Sequence, residues 1–307
     1  MKKILITPRS ITKDGHPSLD RLRNAGYELA FCTPGKQPSE NELINILPGC
    51  SGYLAGVEKI SAKVLSAASG LRVISRNGVG VDNIDLNAAK ALNIEICKTE
   101  GANARGVAEL TISLIFAITR SIPFADGKLK EGQWERRLGI EIKGRTLGII
   151  GCGRIGKEVA CLALGLGMNV IAFDPFINDF FTPAANFRYA ELDELLANSD
   201  IISLHIPAGK DGKPFVNDSL IQKIKKRVFL INTARGELID DDALIQALDA
   251  GIIMGYATDV FRTEPPGDNI LVKHKRVITT PHIGGFTEES VDKAMNGAVD
   301  NLLKYLK

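Results

Sequence analysis

The run Leu147-Gly-Ile-Ile-Gly-Cys-Gly-Arg-Ile-Gly156, answered by Asn169-Val-Ile-Ala-Phe-Asp174, narrows the folds open to this chain more than any other segment. An apolar stretch enters Gly151-x-Gly153-x-x-Gly156. A helical pattern of Val159, Ala160, Leu162, Ala163 and Leu164 leaves it, and a second apolar stretch ends in an acid. The order reads strand, glycine turn, helix, strand, which is a βαβ dinucleotide-binding unit. Gly151 permits the tight turn, Gly153 lets the backbone approach a pyrophosphate, and Gly156 allows close packing of helix on strand. Arg154 and Ile155 open the helix, whose free N–H groups and positive dipole end suit that pyrophosphate. Asp174 stands where a carboxylate accepts hydrogen bonds from a ribose, and its charge would repel a 2′-phosphate. NAD is therefore expected in preference to NADP.

A chain of 307 residues suits two domains, each able to bury a core. With 38 basic and 36 acidic residues and no long run of one sign, it offers no electrostatic footprint for nucleic acid or an anionic membrane. A small-molecule partner is expected. Five scattered cysteines without metal-ligand spacing read as reduced thiols in a cytoplasmic protein, and no metal is expected. The start, Met1-Lys-Lys-Ile-Leu-Ile-Thr-Pro8, fits a first strand and is too short for a signal-peptide core, and no apolar run is long enough to span a bilayer.

Short apolar runs alternate with helical patterns along most of the chain, which implies parallel strands covered by helices. The fold class expected is α/β, with two Rossmann-like doubly wound domains. Residues 1–102 plus 286–307 would form a discontinuous substrate-binding domain, and 103–285 the NAD-binding one. Strands are expected at Thr146–Gly151, Asn169–Phe173, Ile201–Leu204, Val228–Ile231, Gly255–Thr258 and Val277–Thr279 in the second, and a helix over Glu288–Leu306 is expected to return to the first. A long helix over Asn103–Arg120, with Asn103 as N-cap, would connect them.

Four polar groups stand where open α/β sheets bind ligands: Arg235 in Ile231-Asn-Thr-Ala-Arg-Gly236, Asp259 in Ala257-Thr-Asp-Val-Phe261, Glu264 before Pro265-Pro266, and His282 in Thr280-Pro-His-Ile-Gly-Gly285. Together with Ser75-Arg-Asn-Gly-Val-Gly-Val-Asp-Asn-Ile-Asp85, these motifs follow one order across nearly the whole chain. In that order the sequence resembles the D-isomer-specific 2-hydroxyacid dehydrogenase family, its phosphoglycerate dehydrogenase branch above all. The resemblance implies an NAD-dependent oxidoreductase that interconverts a D-2-hydroxy acid and its 2-oxo acid. Its chemistry needs a cation for the carboxylate and an acid beside the carbonyl oxygen. Arg235 supplies a planar fork, and His282 titrates near neutral pH. Glu264 would fix the His282 tautomer and favour its charged form.

The resemblance further places Asp259 against the nicotinamide carboxamide, and Thr233, Ala234 and Gly284 on the cofactor. Asn77, Gly78, Val79 and Gly80 would form a small nest of N–H groups for the substrate carboxylate. His205, at a strand end, reads either as cofactor wall or as local structure. The resemblance also implies a homodimer formed through the Asn103–Arg120 helix.

Several positions depart from the family pattern. Glu100 replaces a common proline, Val79 a common Thr, Ala55-Gly56-Val57 lacks a frequent Arg-Ser, and Phe286 adds bulk after His282. The substrate expected is a small 2-hydroxy acid with an anionic or polar tail, 3-phosphoglycerate among the candidates. Lys59, Arg76, Arg136 and Arg137 are the cations that could meet a phosphate. With an end at residue 307, no added regulatory serine-binding domain is expected. A dinucleotide-sensing, corepressor-like protein is the alternative reading, and the retained Arg235, Glu264 and His282 weigh against it.

Overall fold

The computed structural model of the chain describes residues 2–209 and 211–307. Two compact units divide it, one ending at Asn103 and resuming over Glu288–Lys307, the other spanning Ala104–Thr287. The second boundary thus falls where the last helix begins, two residues beyond the position read from sequence.

In the first unit β1 (Lys3–Ile6), β2 (Glu28–Phe31), β3 (Cys50–Ala55), β4 (Val73–Arg76) and β5 (Glu95–Lys98) form a parallel sheet ordered β2-β1-β3-β4-β5. Successive side chains of a strand point to opposite faces. Leu5, Tyr53, Ala55 and Ile74 accordingly join Leu43, Val64 and Leu65 from two covering helices. Ile4, Ile6, Leu54 and Val73 take the other face, where Met295, Ala298, Val299 and Leu302 of the Glu288–Leu306 helix cover them. That helix is the second cover a parallel sheet requires.

The second unit holds β6 (Thr146–Ile150), β7 (Asn169–Phe173), β8 (Phe187–Tyr189), β9 (Ile201–Leu204), β10 (Val228–Asn232), β11 (Ile253–Thr258) and β12 (Val277–Thr279), parallel, in the order β12-β11-β10-β9-β6-β7-β8. The same alternation splits its core: Ile150, Ile171, Ile202, Leu230 and Tyr256 face one helical layer. Ile149, Val170, Ile201, Ile231 and Ala257 face the helices Ala104–Thr119 and Arg154–Gly165.

Three differences from the sequence reading have local causes. Strand β8 has only three residues, too few to show a period of two. The long helix ends at Thr119, because Ser121 turns left-handed at φ 50°, and a second helix, Ile122–Lys130, follows. A turn precedes Ala104, and Asn103 Oδ1 accepts no hydrogen bond, so the expected cap is not made.

Candidate active site

The strand order of the second sheet reverses between β6 and β9, and the glycine loop leaves β6 at this switch point, where such sheets bind ligands. Gly151 adopts φ +94°, and a Cβ there would lie 2.6 Å from His205 O. One on Gly156 would lie 2.1 Å from Gly151 O, whereas one on Gly153 would meet nothing within 4 Å. Two glycines are thus required by the fold itself, and the third leaves open space before the helix that starts at Arg154 and Ile155. A pyrophosphate fits there. Asp174 accepts the Cys152 N–H at 2.8 Å on Oδ2 and the Phe176 N–H at 2.8 Å on Oδ1. Each oxygen keeps a lone pair for a ribose hydroxyl, so these residues fit NAD.

His205 follows β9. Its Nε2 pairs with Ser203 Oγ at 2.9 Å, its Nδ1 is buried without a partner, and burial lowers its pKa to about 4. Burial thus favours its neutral form.

The carboxyl ends of β10, β11 and β12 carry the chemistry. Asn232 folds the first loop: its Nδ2 donates to Arg235 O at 2.8 Å and its Oδ1 accepts the Ala234 N–H at 3.0 Å. Ala234 therefore has no N–H left for a cofactor. Thr111 gives its proton to Val107 O at 2.8 Å, so Thr233 is the donor in their 2.9 Å pair and remains an acceptor only. Arg235 Nη1 donates to Ala234 O at 2.7 Å. Gly236 lets this loop cross the next one, since a Cβ would stand 2.1 Å from Phe261 C. Neither Asn232 nor Gly236 was assigned a role from sequence, although both flank the motif.

Asp259, 2% exposed, accepts Thr280 Oγ1 (2.6 Å) and the Ile283 N–H (2.8 Å) on Oδ1, and the Gly284 N–H (2.7 Å) on Oδ2. The carboxylate expected to face a nicotinamide is thus largely spent on clamping both sides of His282, and one lone pair on Oδ2 remains. Gly284 likewise gives its N–H to this clamp. The clamp holds His282 at φ +54°, a conformation unfavourable for most side chains. His282 Nδ1 lies 2.7 Å from Glu264 Oε2, and Glu264 Oε1 accepts the Phe261 N–H at 3.1 Å. The hydrogen bond to Glu264 raises the His282 pKa against the opposing effect of burial; the charges of Glu264 and Asp259 add to it, and Arg235 subtracts. Burial pushes Glu264 up, but the His282 hydrogen bond and charge, the Phe261 N–H and Arg235 together bring it below the usual range.

In the first unit, Gly78 adopts φ +147° and donates its N–H to Thr99 Oγ1 at 3.0 Å, and the Asn77 N–H goes to Ala55 O at 2.9 Å. Both are withdrawn from the expected nest. Among the described residues no group accepts the Val79 or Gly80 N–H, and these two make what remains of it. Two of the cations suggested for a phosphate are engaged elsewhere. Arg76 is 9% exposed with Nη1 on Asn77 O, and Arg137 stacks 3.4 Å above the Phe124 ring.

The sequence profile described as D-isomer specific 2-hydroxyacid dehydrogenase, NAD binding domain, matches residues 112–284. The chain belongs to this family. It is 40% identical over 277 residues to a D-3-phosphoglycerate dehydrogenase of Archaeoglobus fulgidus, covering 89% of this chain and 52% of that one. A hydroxypyruvate reductase of Thermotoga maritima is 39% identical over 273 residues, covering 87% of this chain and 88% of the relative. The chain therefore spans about half the length of its phosphoglycerate dehydrogenase relatives and most of the reductase. The crystal structure of D-lactate dehydrogenase from Aquifex aeolicus with NAD and lactic acid superposes with a TM-score of 0.83 at 29% identity, over 99% of this chain and 95% of that one. For a 2-hydroxyacid dehydrogenase of this family, the cofactor is the NAD that the glycine loop and Asp174 fit.

Proposed function

We propose that the chain is an NAD-dependent D-2-hydroxyacid dehydrogenase, interconverting a D-2-hydroxy acid and its 2-oxo acid. The observation that carries this reading is the 2.7 Å His282–Glu264 pair, fastened through Asp259. Bound NADH supplies the hydride in reduction. With Nδ1–H committed to Glu264, His282 Nε2 is left to give a proton to the carbonyl oxygen in reduction and to take it back in oxidation. Arg235 supplies a planar fork for the substrate carboxylate. A sensor of dinucleotides needs none of these groups.

A panel of 2-oxo acids with NADH, followed by absorbance, tests the reading. Glyoxylate, hydroxypyruvate and 3-phosphohydroxypyruvate span the tail classes that the relatives bring, including the 3-phosphoglycerate pair. Oxidation of NADH with at least one is expected, and none with any 2-oxo acid would sink the proposal.

The same reading assigns a homodimer through the Asn103–Arg120 helix. Just beyond that helix Ile122, Leu129, Trp134 and Leu138 are 52%, 59%, 81% and fully exposed, apolar side chains that a partner surface would cover. Analytical ultracentrifugation is expected to show a dimer for the wild type and a monomer for a Trp134→Asp, Leu138→Asp variant.

A further inference from the structure

Cations gather at the entrances of three strands in the second unit. Lys225-Lys-Arg-Val228 leads into β10, Lys273-His-Lys-Arg-Val277 into β12, and Gly144-Arg-Thr146 into β6. The sheet is parallel, so these entrances lie along one edge, opposite to the carboxyl ends that carry Arg235, Asp259 and His282. There they meet the base of the segment that leaves the Ala104–Thr119 helix and returns where the Ile140 N–H reaches Thr119 O at 3.1 Å. Sheet edge and segment enclose a cavity of about 890 Å³, within the range that small-molecule sites occupy.

Among the described residues, seven Lys and Arg side chains line this cavity against one acid, Asp200. Asp200 is taken by Lys225 Nζ at 2.7 Å, Arg145 Nη1 at 3.8 Å and the Thr146 N–H at 3.0 Å. Arg276 donates Nη1 to Leu248 O at 2.6 Å and Arg137 stacks on Phe124, contacts that hold a guanidinium without neutralising it. No carboxylate among the described residues pairs with Lys226, Arg227 or Lys275, and all three are exposed. Arg227 sits at the left-handed φ of +69° with its N–H on Ile252 O at 2.8 Å. Glycine would suit that turn better, so the backbone does not account for the arginine. The rest of the lining is largely apolar, with Ile118, Leu138, Phe229, Met254 and Ile278 in it. Unneutralised cations beside apolar surface recognise an anion of several charges that carries an apolar or aromatic body. Guanidinium forks match phosphate oxygens, and cations spread over two strand entrances call for more than one phosphate.

We propose that this cavity binds a nucleoside di- or triphosphate, its phosphates on Lys226, Arg227 and Lys275 and its base against the apolar lining. The glycine loop that fits NAD lies at the opposite end of the strands, so the two sites are separate. The proposal does not rest on the dehydrogenase reading. Leu138 is shared with the dimer surface assigned above, which makes a second copy of the chain the rival occupant.

The test is calorimetric titration with ATP, free of divalent cations, on protein saturated with NADH so that the dinucleotide site is filled. One ATP per chain is expected, with a Kd below about 1 mM that weakens as salt is raised. Lys226→Glu, Lys275→Glu reverses two exposed charges and is expected to weaken ATP at least about tenfold, while NADH affinity, read by fluorescence, is unchanged. Tripolyphosphate, which has the charge and no base, is expected to bind the wild type at least about tenfold more weakly than ATP. No ATP binding to the NADH-filled wild type, an equal affinity in the variant, or a parallel loss of NADH affinity overturns the proposal. Tripolyphosphate binding as tightly as ATP overturns the ligand class and with it the proposal. So does ATP binding to the Trp134→Asp, Leu138→Asp monomer but not to a wild-type dimer, because the second copy then fills the cavity. Should circular dichroism show Lys226→Glu, Lys275→Glu unfolded, Lys226→Ala, Lys275→Ala is read instead: weaker ATP binding supports the site, and unchanged binding overturns it.

Discussion

Replacing His282 is expected to lower turnover by about 10²–10⁴-fold, the range a positioned acid or base contributes, while NADH affinity stays close to wild type. Asparagine is the informative substitution, because His282 sits at φ +54° and Asn tolerates that conformation better than Ala. The turn clamped by Asp259 then persists without a titrating ring. Steady-state rates on the best 2-oxo acid and NADH titration by fluorescence check this result, and near wild-type turnover would remove His282 from proton transfer.

The companion variant, Glu264→Gln, has a signed effect on pH dependence. The Glu264 hydrogen bond raises the His282 pKa, so reduction, which needs the protonated ring, holds below that pKa and declines as pH rises through it. Removing the Glu264 charge lowers the pKa. The falling limb of reduction and the rising limb of oxidation should therefore both move to lower pH, and a shift to higher pH would contradict the assigned roles.

The second large effect is expected at Asp174. Its oxygens hold the Cys152 and Phe176 N–H groups and retain lone pairs for a ribose. Hydrogen bonds to a charged acceptor are worth about 1.5–3 kcal/mol, so Asp174→Ala should weaken NAD roughly 10- to 100-fold. Loss of the like charge should simultaneously favour a 2′-phosphate. NADP affinity is expected to rise or fall less, reversing the wild-type order or nearly so. Asp174→Asn separates the causes: it keeps an acceptor oxygen, so any gain in NADP use comes from the charge. Calorimetric titration of both cofactors decides the matter, and a wild-type preference for NADP would overturn the assignment of Asp174.

The glycine loop was legible in the sequence because its requirements are local. A left-handed Gly151, and a helix so close that a Cβ on Gly156 would stand 2.1 Å from the Gly151 carbonyl oxygen, leave no alternative residue at those spacings. The apolar runs that became β6, β7 and β9 to β12 were legible because burial on both faces needs continuous hydrophobic stretches. Arg235, Glu264 and His282 could be named from their motifs, but not their wiring. That Asp259 holds the His282 turn, that Asn232 consumes the Ala234 N–H, and that Gly236 permits two loops to cross all depend on atoms far apart in the chain. Strand β8 and the break at Ser121 escaped because three residues carry no period and one left-handed serine carries no signal.

The nest shows the division most clearly. Sequence offered Asn77-Gly-Val-Gly80 as a small nest of N–H groups; tertiary structure decided which of them stay open, because Thr99, 21 residues onward, claims that of Gly78. Glu58 is the same case in reverse. On sequence it is one acid among 36 acidic residues, with nothing local to mark it. Only the parallel alignment of β1 and β3 brings Thr7, Tyr53 and the Gly56 N–H around one oxygen, and that convergence holds an ordinary glutamate buried in one place. Local backbone geometry is encoded within a few residues, whereas the electrostatics of a buried group are set by every element packed around it.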